Sequence, residues 1–209
     1  MPISRERQGE ASILLMALIW GIFPVIAAIS IKSVSPLVSL GISTFFAALF
    51  FAGVLTYKNK WADVTNKKAF WDIIWCSLII GAGYYPLYYF GLRYTSAGNV
   101  AIIALTEVFF AFLLFHGWHK HYIPKVHIFG IALLVLAAVI VLLPNYRELR
   151  YGDFFILTGA FFIPLGNFFA QRARKSVGSE AILFIRSAIS FPIIFFCFCP
   201  GFGFFHARN

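Results

Sequence analysis

Residues 97–118 read AGNVAIIALTEVFFAFLLFHGW: 22 residues with one carboxylate and no lysine or arginine. A helix rises 1.5 Å per residue and the hydrocarbon of a bilayer is about 30 Å thick, so roughly 17–25 apolar residues make one crossing. Six further stretches of similar length flank this one: 11–31, 37–57, 70–92, 126–143, 154–170 and 181–199. The connections between them are too short to fold as separate domains. The pattern predicts an all-α membrane protein, a polytopic bundle of seven helices, whose function lies inside the bilayer.

Composition agrees. The chain is 61% hydrophobic and 12% charged, with 26 phenylalanines, and its mean hydropathy is +0.85, more apolar surface than a soluble core of this size could hide. A net charge of +9 would point to nucleic acid in a soluble protein, but the placement of the charges argues otherwise. If the helices alternate in direction, Arg5, Arg7, Lys58, Lys60, Lys67, Lys68, Lys120, Lys125, Arg172, Arg174 and Lys175 share one side. The other side holds only Lys32, Arg93, Arg147, Arg150 and Arg208, and Arg186 lies within the seventh stretch. Basic loops stay in the cytoplasm, so the N-terminus is expected there, in a multi-pass protein of the cell (inner) membrane. The lipid bilayer, not nucleic acid, is the expected partner, with anionic headgroups attracted second. The first stretch is too long for the apolar region of a secretory signal and is expected to stay in the mature protein.

A weak internal repeat accompanies this pattern. An ungapped shift of 143 residues lays Gly9–Phe51 over Gly152–Ile194 and pairs Gly9 with Gly152, Ile13 with Ile156, Ala17 with Ala160, and Lys32-Ser33-Val34 with Lys175-Ser176-Val177. The first two stretches thus match the sixth and seventh, and the repeat unit is five helices. An odd number makes the second copy enter from the opposite side, as in the inverted repeats of secondary transporters.

Several short motifs then carry a resemblance. Trp20-Gly21 with Pro24, Ser35-Pro36 opening the second stretch, Leu92-Arg93-Tyr94-Thr95-Ser96-Ala97-Gly98, and Gly130-Ile131-Ala132 stand in an order and spacing that resemble the EamA-type transporters of the drug/metabolite transporter (DMT) superfamily. The resemblance implies one complete five-helix EamA repeat over 9–144, the first two helices of an inverted second repeat over 152–199, and an irregular tail over 200–209. It also implies carriers of ten helices with substrate between the two copies, so a chain of seven is expected to be a truncated form. Self-assembly into a homo-oligomer is the other expectation.

Glu107 is the outstanding single residue. It lies ten positions into its stretch, about 15 Å deep at helical rise. A charged carboxylate there costs roughly 2.5–3.5 kcal/mol on insertion scales, so it is expected to face the bundle interior or a wet cavity, or to stay protonated. Proton coupling or recognition of a cationic substrate would use it; a protonated Glu107 bonding a neighbouring backbone is the structural alternative. Thr106, Asn99, Trp20 and Tyr88 are expected to line a substrate or proton path with it, against ordinary packing, interfacial anchoring or bonding within a helix. Arg186 resembles a basic residue common early in this helix of the family; the alternative is snorkelling to the interface. Pro24, Pro86, Pro164 and Pro192 are expected to kink their helices, and Gly41, Thr44 and Ala48 give the second stretch a small-residue face for close packing.

No catalytic residue, metal or cofactor is expected. His116, His119, His121 and His127 cluster in a basic loop without cysteine or paired carboxylates, and Cys76, Cys197 and Cys199 lack CxxC spacing. GxSxG, HExxH and paired intramembrane aspartates are missing from the sequence, which argues against a membrane enzyme. The leading expectation is a secondary carrier for a small metabolite, an amino acid or a drug-like compound, its substrate unknown. The alternative is a non-transporting membrane remnant or interaction protein.

Overall fold

A computed structural model describes residues 5–118 and 150–198, with a few positions between 128 and 136. Among the described residues six helices are long and apolar enough to cross a membrane. They are α1 (Arg5–Ser33), α2 (Pro36–Tyr57), α3 (Lys67–Arg93), α4 (Ala97–Phe115), α5 (Tyr151–Ala173) and α6 (Ser179–Phe196). They answer to six of the seven expected stretches. The remaining one, 126–143, lies largely outside the described residues, as do the histidine-bearing loop and the tail over 200–209. The chain is a polytopic helical membrane protein.

The sequence sets the ends of these helices. Pro36 starts α2, where a missing N–H breaks no helical bond, and Asn59, with φ of 51°, lies in the left-handed region just past the α2 C-cap. Asn66 caps α3 by accepting the Lys68 N–H at 3.0 Å, and Ser96 caps α4 by accepting that of Asn99 at 3.2 Å. Buried Asp153 closes the start of α5: one oxygen accepts the Arg150 N–H at 2.9 Å, and the other accepts the Thr95 hydroxyl at 2.5 Å.

Two helices depart from regular α geometry. Within α3, Ser77–Tyr84 is π-helical, and Tyr85 donates its N–H to the Ile80 carbonyl, five residues back. Pro86 follows at once; its ring would press on the carbonyl four residues back, and the wider turn relieves that clash. In α4 the helix tightens at Leu105, whose N–H bonds the Ile102 carbonyl at 3.0 Å, directly before Thr106 and Glu107. The Thr106 hydroxyl donates to the Ile103 carbonyl at 2.6 Å and reinforces that tightening.

The central contact joins α3 to α5. Gly152, Gly159 and Gly166 recur every seven residues on one face of α5, against Gly91, Tyr84 and Ile80 of α3. At Gly152 the two backbones meet: a Cβ there would stand 2.4 Å from the Gly91 carbonyl oxygen and 2.9 Å from the Thr95 nitrogen. Without a hydrophobic drive between helices in lipid, close approach of this kind is a main source of their association. On the other side of α3, α6 packs against it and against α2.

At one end of the bundle the 58–68 and 172–180 segments meet. Lys58 pairs with Glu180, Asp63 accepts the Gly178 N–H at 2.9 Å, Asn66 donates to the Ser176 carbonyl at 3.2 Å, and Arg172 lies 3.4 Å from Asp72. These two basic loops were expected to share a side, and they do.

Helix α1 is different. Its second half packs through Phe23, Ala27, Ala28 and Ile31, whereas Ile13, Leu14, Leu18 and Ile22 are 57–68% exposed, an apolar surface that suits a lipid environment. Gly152→Ala should destabilise the bundle by about 1–3 kcal/mol, because backbone atoms on α3 cannot swing aside. Gly21→Ala, with nothing within 4 Å, should be neutral. Denaturant titration of the reconstituted protein distinguishes them; equal effects would show that the seam is not tight.

Candidate functional site

Where the first half of α1 leaves the bundle, a cavity of about 550 Å³ opens between α1, α2, α3 and α6. That volume suits a small organic molecule. Helix α1 supplies Met16, Ile19, Trp20 and Phe23; α2 supplies Leu40, Ser43, Thr44 and Ala47. Helix α3 adds Gly81, Tyr85 and Tyr89, and α6 adds Arg186, Ser187 and Ser190.

Helical spacing explains these faces. Tyr85 and Tyr89 are four apart and line the cavity, whereas Tyr84 and Tyr88, turned by one residue, do not reach it; Tyr84, Tyr88 and Tyr89 all belong to the buried core. Arg186 and Ser190 are likewise four apart, so a cation and a hydroxyl share one face of α6. Gly81, in the π-helical stretch, lets α6 come close: a Cβ there would collide with Ser190 Oγ and lie 3.8 Å from Arg186 Cγ. The Arg186 guanidinium carbon sits 5.8 Å from the centre of the Tyr85 ring, a cation–π distance.

The polar groups of the cavity differ in what they have left to give. Ser43 and Thr44 donate their hydroxyls to carbonyls of their own helix, at 2.9 and 2.8 Å. Ser190 is 2% exposed, and its hydroxyl has no hydrogen-bond partner among the described residues. Among the described residues Arg186 forms no ion pair and no carboxylate lines the cavity.

Of the residues singled out in the sequence, Trp20 and Arg186 lie in this wall. Tyr88 is 1% exposed and packs on Phe23 at 5.6 Å and Tyr84 at 5.6 Å; its hydroxyl, too, has no partner among the described residues. Asn99 lies in the first turn of α4, where Ser96 caps its N–H, and Thr106 bonds its own helix. Glu107 is partly buried on α4 and within electrostatic reach of Tyr84, on a different face of α3 from the cavity. Pro24 and Pro164 lie inside otherwise continuous helices, Pro86 follows the π-helical stretch, and Pro192 just precedes another at Ile194–Phe198. No cluster of three metal-ligating side chains occurs among the described residues.

The sequence reading passed over Ser43, Tyr85, Tyr89, Ser187 and Ser190. Spacing carries a signal for some of them: Tyr84-Tyr85-Pro86-Leu87-Tyr88-Tyr89 places two tyrosine pairs on neighbouring faces, and Arg186-x-x-x-Ser190 places donors together. Which face met a cavity depended on the partner helices. Ser190→Ala removes a buried hydroxyl without a partner among the described residues, so it should leave stability unchanged or raise it by about 1 kcal/mol. A loss larger than that in denaturant titration would show that the hydroxyl has a structural partner.

Comparison with known proteins places these observations in a lineage. Neither the curated proteins nor the solved structures returned a match. A family model described as the EamA-like transporter family matches residues 7–143, from the start of α1 past the end of α4. The chain therefore belongs to the EamA-like transporter family, within the DMT superfamily.

Proposed function

We propose that the protein is a secondary carrier that seats a small metabolite, amino acid or drug-like compound in the cavity between α1, α2, α3 and α6. The cavity is the observation that carries this reading: about 550 Å³ inside a bundle of a transporter family, walled by aromatic rings with a few polar groups among them. Its position adds support. In the repeat scheme α1, α2 and α3 belong to the copy over 9–144 and α6 to the inverted copy over 152–199, and carriers with inverted repeats bind substrate where the copies meet. In this reading the protein sits in the cell (inner) membrane with its N-terminus and the joined 58–68 and 172–180 segments in the cytoplasm.

Glu107 takes a second role in the proposal. It is held apart from the cavity, on α4, where the helix tightens before it, and it serves as the proton group that couples transport to a pH gradient. Thr106 and Asn99 share its helix. Tyr84 packs on Tyr85 of the cavity wall and lies within electrostatic reach of Glu107, so a change at one could be felt at the other through packed rings.

Solute uptake into proteoliposomes tests both parts. Ala47→Trp, which fills the cavity from α2, should abolish uptake while membrane insertion and helical content are kept; undiminished uptake would remove the cavity from the path. Glu107→Gln should allow solute exchange but lose acceleration by an imposed pH gradient. Gradient-driven uptake equal to that of the unaltered protein would end the coupling role.

A further inference from the structure

The charge of the cavity wall narrows its occupant. Arg186 lies roughly 10 Å along α6 from Ser179, at the rise of a helix, and so well within the span. Its guanidinium rests against the Tyr85 ring in the cavity wall, away from the loop end where Lys58 and Lys60 stand. Among the described residues no carboxylate accepts from it. A cation at such a depth without a counter-ion is costly, and that cost falls when an anion occupies the cavity and rises when another cation does.

A second, independent group points the same way. Ser190 is 2% exposed, one turn from Arg186 on the same face, with a hydroxyl that bonds nothing among the described residues. Both side chains converge beside Gly81 of α3, whose missing side chain leaves the space they occupy. Guanidinium and hydroxyl are donors, and a guanidinium presents two parallel N–H groups that match the oxygens of a carboxylate. The remaining wall is largely apolar, with Ser43, Thr44 and Ser187 set among its rings: Trp20 and Phe23 stand edge to face at 5.3 Å, and Tyr85 and Tyr89 follow one another along α3.

We infer that the cavity selects organic anions: a small monocarboxylate with a flat apolar body, its carboxylate on Arg186 and Ser190 and its body among Trp20, Phe23, Tyr85 and Tyr89. This rests on the carrier reading for the site but not for the movement of solute. The amine-type substrates that Glu107 suggested from sequence are disfavoured at this place, because the one charged group in the wall among the described residues is positive.

Equilibrium binding of radiolabelled benzoate, benzylamine and benzyl alcohol to the full chain in phosphatidylcholine nanodiscs tests the inference. The three probes share a ring and differ in charge. Benzoate should bind at least about tenfold more tightly than either of the others, the effect expected of one charge-assisted hydrogen-bonded pair. Arg186→Gln should erase that preference, Arg186→Lys should keep part of it, and Ser190→Ala should weaken benzoate several-fold. Benzylamine bound as well as benzoate, no binding of any probe, or an Arg186→Gln protein of unchanged helicity with full benzoate affinity would each overturn the assignment. Loss of benzoate binding when phosphatidylglycerol is added to the disc would assign the site to a lipid headgroup and overturn it also. Should Arg186→Gln fail to fold, the three-probe comparison on the unaltered protein still decides. Benzoate bound through Arg186 but never moved into proteoliposomes would sink the carrier reading alone; benzylamine carried while benzoate is refused would sink this one alone.

Discussion

The seam between α3 and α5 is the constraint from which the rest of the bundle follows. In lipid, apolar side chains gain little by leaving the solvent, so association depends on how closely two backbones can approach. Gly152, Gly159 and Gly166 remove side chains from one face of α5 at every second turn, and Gly91 does the same on α3 where the approach is tightest. Asp153 and Thr95 lock one end of this pair, and Arg172 with Asp72 ties the other. Once α3 is fixed, its opposite side can be spent on something other than packing.

That other side is where α3 widens. Past the π-helical stretch Tyr85 and Tyr89 line the cavity beside α1 and α2, whereas Tyr84 and Tyr88 do not reach it, and Tyr89 is shared between the cavity wall and the buried core. Gly81 admits Ser190 and the stem of Arg186 on the same stretch, so α6 approaches without filling the space in front of it. Helix α1 completes the enclosure without closing it. Its second half is anchored through Phe23 and Ala27, and its first half stands off, leaving Met16, Ile19 and Trp20 as one wall. The cavity is therefore a consequence of helices held at different distances from α3.

Much of this fold was legible from hydropathy alone, because lipid permits few alternatives to helices that satisfy their own backbone bonds. Six stretches of 17 or more apolar residues became six helices, and the paired basic loops met at one end. Helix ends were less legible: α1 begins at Arg5 and α3 at Lys67, since a helix continues through polar residues past the hydrocarbon edge. The site was legible in part. Of the residues expected on a substrate or proton path, Trp20 and Arg186 lie in the cavity wall. Ser190, Tyr85 and Tyr89 did not stand out, because a hydroxyl or ring in an apolar helix gains meaning only from the helix opposite it. The heptad of glycines on α5 was written in the sequence, but among 16 glycines only a partner backbone distinguishes a seam from a flexible point.

Two ionisable side chains inside the bundle, Glu107 and Arg186, illustrate why separation matters. Had they met, each would have cancelled the insertion cost of the other, of order 2.5–3.5 kcal/mol on insertion scales, and neither would have been free to act on a solute or a proton. They are instead set against different faces of α3, with Tyr84 toward one and Tyr85 toward the other. Arg186 is eased by a ring face rather than by a carboxylate, which lowers its cost without occupying its donors. Glu107 follows a tightened turn whose threonine bonds its own helix and so leaves the carboxylate uncommitted. A bundle optimised for stability alone would pair or delete such groups; this one keeps both, apart and without an ion pair among the described residues, and so carries the insertion cost of each.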